Sequence, residues 1–444
     1  MSKKVSKEQL RVVDRDDVEL VTDGLSDQVR VSLVGIAGAA REGLLAMSAT
    51  VGLQVLATML EDERVQLCGP IHAKLAGERV ATRGGTTPSS VVFGGRKVPV
   101  SRPRAHYVDG GGEVELATWA AFSDESLLDE LVFERMLAGL STRRHGAANE
   151  PVGEAIEAQA RSTSKSTVSR RWVKGTKAAL DELLGRVLSE LDVAVLMIDG
   201  VHFADVCCVV CMVILADGTK VPIGLREGDT ENATLVRELL ADLVARGLST
   251  DGGLLVVIDG AKALATAVKS VFGKHALVQR CQLHKRRNVV DYLPKKDRGW
   301  VETRLVRAFN HADPDQGLAD ARRLATELEA TWPDAAGSLR EGLEDMFTVS
   351  RLGIDRQLAK TLTNTNAIES MISIARTTTA RVKRWQNDNG SDMRRRWCAA
   401  GMLEAERSFR RVKGCKQMPR LVAALARHAN AVAPPKYDQQ ADAA

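Results

Sequence analysis

The chain has 444 residues, 44% of them apolar, and its 62 Lys and Arg against 57 Asp and Glu leave a formal charge of +5. That length supports two to four cored domains, and no apolar run approaches the ~18 residues of a membrane span, so no membrane partner is expected. Seven cysteines are too sparse for a disulfide framework, and with the charged opening "MSKKVSKEQLRVVDRDD" they read as a cytoplasmic chain without a secretion signal.

Residues 1–25 are polar and read as a disordered N-terminus. Over 26–122 the sequence predicts a helical region, carried by "EGLLAMSATVGLQVLATMLEDERV", with a β insert at 79–115 where Gly, Pro and Arg surround "SVVF" and "KVPV". One or two short hairpins are expected there, as a DNA-contacting flap or a plain insert. Residues 123–188 return to helices. Within them "ARSTSKSTVSRRWVKGTKAALDELL" has the look of a helix-turn-helix in a DNA-binding region. Its second helix, from Ser164, would turn Lys165, Ser166, Thr167, Arg170 and Arg171 toward phosphates and base edges; a helical hairpin is the plain alternative.

Over 189–281 the order sharpens. "VAVLMIDG" predicts a buried strand, and "CCVVCMVILADGTKVPIGLRE" predicts two strands joined at Asp217-Gly218. Cys207, Cys208 and Cys211 then pack as small hydrophobes. "ENATLVRELLADLVARG" predicts a helix ending at Gly247, followed by a strand at "LLVVIDG", a helix at "AKALATAVKSVF" and a fifth strand at "HALVQRC". Three strands, helix, strand, helix, strand is the order of an α/β, ribonuclease H-like core. Residues 282–360 read as an all-helical insertion, 361–432 as the second part of the core with C-terminal helices, and 433–444 as a disordered tail.

Two aspartates close apolar runs, Asp199 after "VAVLMI" and Asp259 after "LLVVI". Both precede Gly and would serve as turns, yet Asp259-Gly260 leads into a helix, and ligands of open α/β sheets gather at such strand ends. Glu369 follows in "TNTNAIESMISIAR", where Asn366 reads as an N-cap and Glu369 as its capping-box partner. Gathering three acids costs roughly 4 kcal/mol per pair at 4 Å in an effective dielectric of 20, a cost that a cation removes. Mg²⁺ takes oxygen ligands, and two such ions could drive an in-line phosphoryl displacement. Arg376 lies seven positions beyond Glu369, about 10 Å along nearly the same helix face, where it could grip a phosphate or sit on the surface.

Basic residues cluster beside these acids. Residues 280–298 hold seven Lys or Arg against two Asp, and residues 381–396 hold six against two. His284, Lys285, Arg286 and Arg287, and Arg381, Lys383 and Arg384, are thereby candidates for DNA contact, with solvated helix faces as the alternative. Cys281-Gln-Leu-His284 has the spacing of half a zinc site, but no second ligand pair stands at finger spacing, so packing is expected for Cys281. Signatures of nucleophile-elbow, zinc-protease and P-loop chemistry are missing.

"MIDGVH", "VVIDGAKAL", "RCQLHKRRNV" and "NTNAIESMISIAR", in that order, resemble the mutator-type bacterial insertion-sequence transposases, a branch of the DDE enzymes, over about 190–415. The resemblance implies a metal-binding catalytic triad at Asp199, Asp259 and Glu369, a C-x-x-H element at Cys281 and His284, and a basic residue at Arg376. It further implies two Mg²⁺ ions, with Mn²⁺ as a possible substitute, and strand cleavage at terminal inverted repeats followed by transfer to target DNA. Double-stranded DNA would be the partner, the enzyme a homodimer or higher oligomer, and its place the bacterial nucleoid. Trp300 or Trp332 could hold an unstacked base as in hat-like relatives, or be structural. A junction-resolving nuclease with the same core and a DNA-binding regulator descended from a transposase are the competing functions.

Overall fold

The computed structural model describes residues 27–71, 79–161, 163–203, 206–228, 232–385 and 392–432, so the polar ends expected at 1–25 and 433–444 lie outside the described residues. Two units emerge, Met1–Arg135 with Leu140–Arg171, and Met136–Gly139 with Trp172–Ala444.

In the first unit a 42-residue helix, Asp27–Cys68, lies against a two-stranded hairpin of β1 (Ala81–Phe93) and β2 (Arg96–Tyr107). Gly94 and Gly95 make its turn with φ of +54° and +77°, a geometry that side chains resist. One long hairpin thus replaces the short ones expected. A small core joins Leu56 and Leu60 of the helix to Val91 and Leu116. Contrary to the sequence expectation, the segment Gly43–Cys68 is long and apolar enough to cross a membrane by length and composition alone. Its Ala, Val, Leu and Met are spread among small polar residues, so no single run announces it.

The segment expected as helix-turn-helix is one 21-residue helix, Lys165–Gly185, preceded by the single turn Glu154–Glu157.

The second unit is built on a five-stranded mixed sheet of β3 (Val193–Phe203), β4 (Val206–Leu215), β5 (Lys220–Gly228), β6 (Leu254–Ile258) and β7 (Ala276–Arg280). Its spatial order is β5-β4-β3-β6-β7, antiparallel through β3–β5 and parallel from β3 to β6 to β7. Strands covered on both faces read as uninterrupted apolar runs, because alternate side chains enter two different cores. Val195, Met197, Leu255 and Val257 enter one core, shared with Ile368, Met371 and Ile372 of the helix Asn366–Thr379. Leu196, Ile198, Val256 and Ile258 enter the other, against the helices Ala233–Ala245 and Lys262–Phe272. Cys207, Cys208 and Cys211 are fully buried in these cores, as expected. Between β7 and Asn366 the chain is helical, with its own core from Val289 to Phe347.

Candidate active site

Strand parity decides where the two aspartates point. Ile198 pairs with Ile258 in parallel register, so Asp199 and Asp259 follow side by side on strands about 4.8 Å apart. Asp199 has an odd number in a strand whose odd residues face the core containing Ile368 and Met371, the face of the helix that carries Glu369, and Asp259 directly follows β6, whose odd residues enter the same core. Asp199 does not end its strand: β3 runs four residues further, to Phe203, paired to β4. The shorter β6 ends at Ile258 and leaves the end of the sheet open at Asp259.

The three acids lie in one electrostatic neighbourhood. Burial pushes the Asp199 carboxyl up to about 6; the Gly200 N–H and His284 pull it down, while the charges of Asp259 and Glu369 add to the rise. One oxygen of each acid already has a protein donor. Asp199 Oδ1 accepts from Gly200 N at 2.8 Å, Asp259 Oδ1 from Ala261 N at 2.8 Å, and Glu369 Oε1 from the Thr365 hydroxyl. The second oxygen of each has no donor among the described residues. Three half-buried acids with free oxygens form a hard, acceptor-only donor set, which fits a cation such as Mg²⁺.

The helix bearing Glu369 starts differently from the sequence expectation. Thr365, not Asn366, is the N-cap, and Asn366 is the first helical residue, its N–H donating to Asn364 Oδ1 at 3.0 Å. Fully buried Thr365 also touches Cys281 Sγ at 3.4 Å and His284 Nδ1 at 3.3 Å. A hydroxyl has one proton, and an ionised Glu369 can only accept; Thr365 therefore donates to Glu369 and receives from His284 Nδ1–H. His284 Nε2 stands 3.9 Å from Glu369 Oε1. Its hydrogen bond to Cys281 raises the imidazole to about 9, against the opposing effect of burial. Burial pushes the Cys281 thiol up, but hydrogen bonds from His284 and from the Thr365 backbone N–H help bring it below the usual thiol value.

Cys281, His284 and Glu369 offer ligand atoms within 4.8 Å of one another. That sulfur, nitrogen and oxygen set suits zinc better than Mg²⁺, and it shares Glu369 with the all-oxygen set. Thr365 was the residue sequence reasoning missed; its one signal was a Thr immediately before a helix.

Arg280, at the end of β7, is a second such residue. Its Nη1 donates to Gly260 O at 3.2 Å, beside Asp259, and to Glu341 Oε1 at 2.8 Å. Lys285, only 1% exposed, donates to Ser338 O, to Glu341 O and to the Glu341 carboxylate. Burial, the leading influence, holds its amine below the usual value.

Several expected DNA contacts are thereby occupied inside the protein. Lys285 is buried as described, because its amine neutralises Glu341. Arg171 pairs with Glu125 and Asp129 within the first unit. Arg381 donates to Met136 O and lies over the rings of Trp172 and Trp397. Arg286 is paired to Glu302 at 2.8 Å and Thr167 is bonded to Ser164, both contacts at the surface, so these two are not withdrawn into the interior. Lys165, Ser166, Arg170, Arg287, Arg376, Lys383 and Arg384 are exposed. Trp300 is 39% exposed, and Trp332 packs against the core of the helical block.

The second unit is thus a mixed α/β unit in which Asp259 lies directly beyond the short inner strand β6, and such strand ends are where ligands of open α/β sheets gather. Residues 36–394 match the family model described as "Transposase, Mutator family", so the chain belongs to the mutator family of transposases. It is 26% identical over 326 residues to the transposase for insertion sequence element ISRM5 of Rhizobium meliloti, covering 71% of this chain and 78% of that one. It is also 26% identical over 244 residues to the transposase for IS6120 of Mycolicibacterium smegmatis, covering 52% and 73%. Over 261 residues it is 28% identical to the transposase for IS256 in transposon Tn4001 of Staphylococcus aureus, covering 56% and 63%.

Proposed function

We propose that the chain is a DNA transposase that binds the terminal inverted repeats of an insertion sequence and catalyses Mg²⁺-dependent strand cleavage and strand transfer. The observation that carries the reading is the convergence of Asp199, Asp259 and Glu369, each with an unused oxygen, in a member of the mutator family. The sheet order, three antiparallel strands continued by two parallel ones, supports a ribonuclease H-like core.

Asp199, Asp259 and Glu369 would hold two Mg²⁺ ions, with Mn²⁺ as substitute, and the metal would supply Lewis-acid activation of the attacking and leaving oxygens. The chain's own part is orientation. Gly200 N–H and Ala261 N–H fix one oxygen of each aspartate, and Thr365, itself held by His284, fixes Glu369. Exposed Arg376, on the Glu369 helix, and Arg287, Lys383 and Arg384 supply positive charge for the DNA backbone. Handling two transposon ends calls for a homodimer or higher oligomer.

The test is cleavage of a labelled duplex carrying the inverted repeat. Asp259→Asn is expected to abolish Mg²⁺-dependent cleavage while end binding stays measurable. Full cleavage by that variant overturns the reading. Wild type that cuts branched junctions but not repeat-bearing ends would instead make the protein a structure-specific nuclease.

A further inference from the structure

The helix Asp27–Cys68 carries an apolar stripe that the described residues leave open. Leu44, Met47, Val51, Val55 and Met59 are 62%, 58%, 50%, 52% and 43% exposed. Steps of three and four residues keep them on one face, opposite the face that buries Leu56 and Leu60. A charged residue closes each end of the stripe. Arg41 stands three residues before Leu44 and Asp62 three after Met59; both are exposed, and neither makes an ion pair among the described residues.

We propose that this stripe is the contact between two copies of the chain, packed antiparallel about a two-fold axis beside Val51. The spacing selects the direction. When Leu44 of one copy lies opposite Met59 of the partner subunit, Arg41 meets Asp62 of the partner subunit, and symmetry repeats that pair at the other end. A parallel arrangement sets Arg41 against Arg41 and Asp62 against Asp62, and like charges facing each other across an interface are costly. The length is adequate: from Arg41 to Asp62 the helix spans about 32 Å, some six turns of apolar seam. A lipid surface is the other taker of an apolar helix face. Against it stand the charges on the stripe's own face and the exposed Thr50, Gln54 and Thr58 along its flank, which suit a protein seam with a polar rim. The contact stands on the helix itself and goes beyond the transposase reading, so it can fail or hold whatever the protein cuts.

Sedimentation analysis of the full chain tests it, with circular dichroism to verify that each variant is folded. Wild type is expected to be dimeric at micromolar concentration, and Val51→Lys, which puts two ammonium groups at the axis, to raise the dimer Kd ~100-fold. Arg41→Glu and Asp62→Arg should each weaken the dimer about tenfold or more, and the double variant Arg41→Glu/Asp62→Arg should restore it. A monomeric wild type, a dimer that survives Val51→Lys, or charge reversals that neither weaken nor rescue overturns the proposal. So does flotation of wild type with phosphatidylcholine–phosphatidylglycerol vesicles that Val51→Lys abolishes, which assigns the stripe to lipid.

Discussion

Asp217-Gly218 and Asp259-Gly260 are the same dipeptide after similar apolar runs, and the chain puts them to opposite uses. Asp217 is fully engaged: its Oδ1 accepts from Thr219 N and its Oδ2 from Thr219 Oγ1, both at 2.8 Å, with Arg411 2.9 Å away. Its carboxyl is held below the usual range, first by the Thr219 N–H. Gly218, at φ +86°, completes a hairpin turn. Asp259 gives only Oδ1 to its own turn, its Oδ2 has no donor among the described residues, and its charge is felt at Asp199. The difference teaches that an acid available for a cation is marked by incomplete satisfaction in a half-buried place, which the dipeptide alone does not encode.

The largest expected effect separates these two turns. Asp259→Asn should lower Mg²⁺-dependent cleavage by about 10³-fold or more, whereas Asp217→Asn should leave it within about twofold. Comparable losses in oligonucleotide cleavage would dissolve the contrast. Next comes the support of Glu369. Thr365→Val removes the one hydroxyl between His284 and Glu369, with an expected loss of about 10–100-fold that Thr365→Ser largely recovers. No recovery by Ser would mean that the methyl group, not the proton, matters.

A third test uses Asp199 as a reporter of the crowded charge. Its folded-state value of about 6 lies above the ordinary 3.8, so the folded chain binds this proton more tightly than the unfolded one. The stability it contributes is present below about pH 4 and lost as pH rises through about 6. In EDTA at pH 7.5, Asp199→Asn should therefore melt higher than wild type, by a free energy on the order of 1–3 kcal/mol, and the difference should vanish at pH 4. Mg²⁺ should raise the wild-type Tm at pH 7.5 but not that of the variant. Asp217→Asn, at the surface, should move the Tm by only about 1–2 °C in either condition.

The strands of the sheet were legible because β4, β6 and β3 as far as Ile198 are unbroken apolar runs, and the Asp217-Gly218 hairpin between β4 and β5 carries its own turn chemistry. The extension of β3 past Asp199 was not, since Gly200 and exposed His202 interrupt the apolar text while Val201 and Phe203 alone face inward. The Thr365 cap was hidden by Asn366, an equally good cap in sequence terms; backbone geometry chose between them. Inward cations such as Lys285 and Arg171 look like any surface charge until their acidic partners, more than 40 residues away, are brought beside them. Pattern reveals elements, but the pairing of distant charges belongs to the fold.

The Arg280–Glu341–Lys285 cluster makes the helical block something other than a removable cassette. Cutting out the segment around Glu341 would strand a guanidinium and an ammonium group in the interior, and an uncompensated buried ion costs several kcal/mol. The same guanidinium braces the carbonyl next to Asp259. Shortening or swapping the block would thus disturb the Asp259-Gly260 turn from behind, and a shortened block would keep its interior neutral only by losing both cations together with their acid.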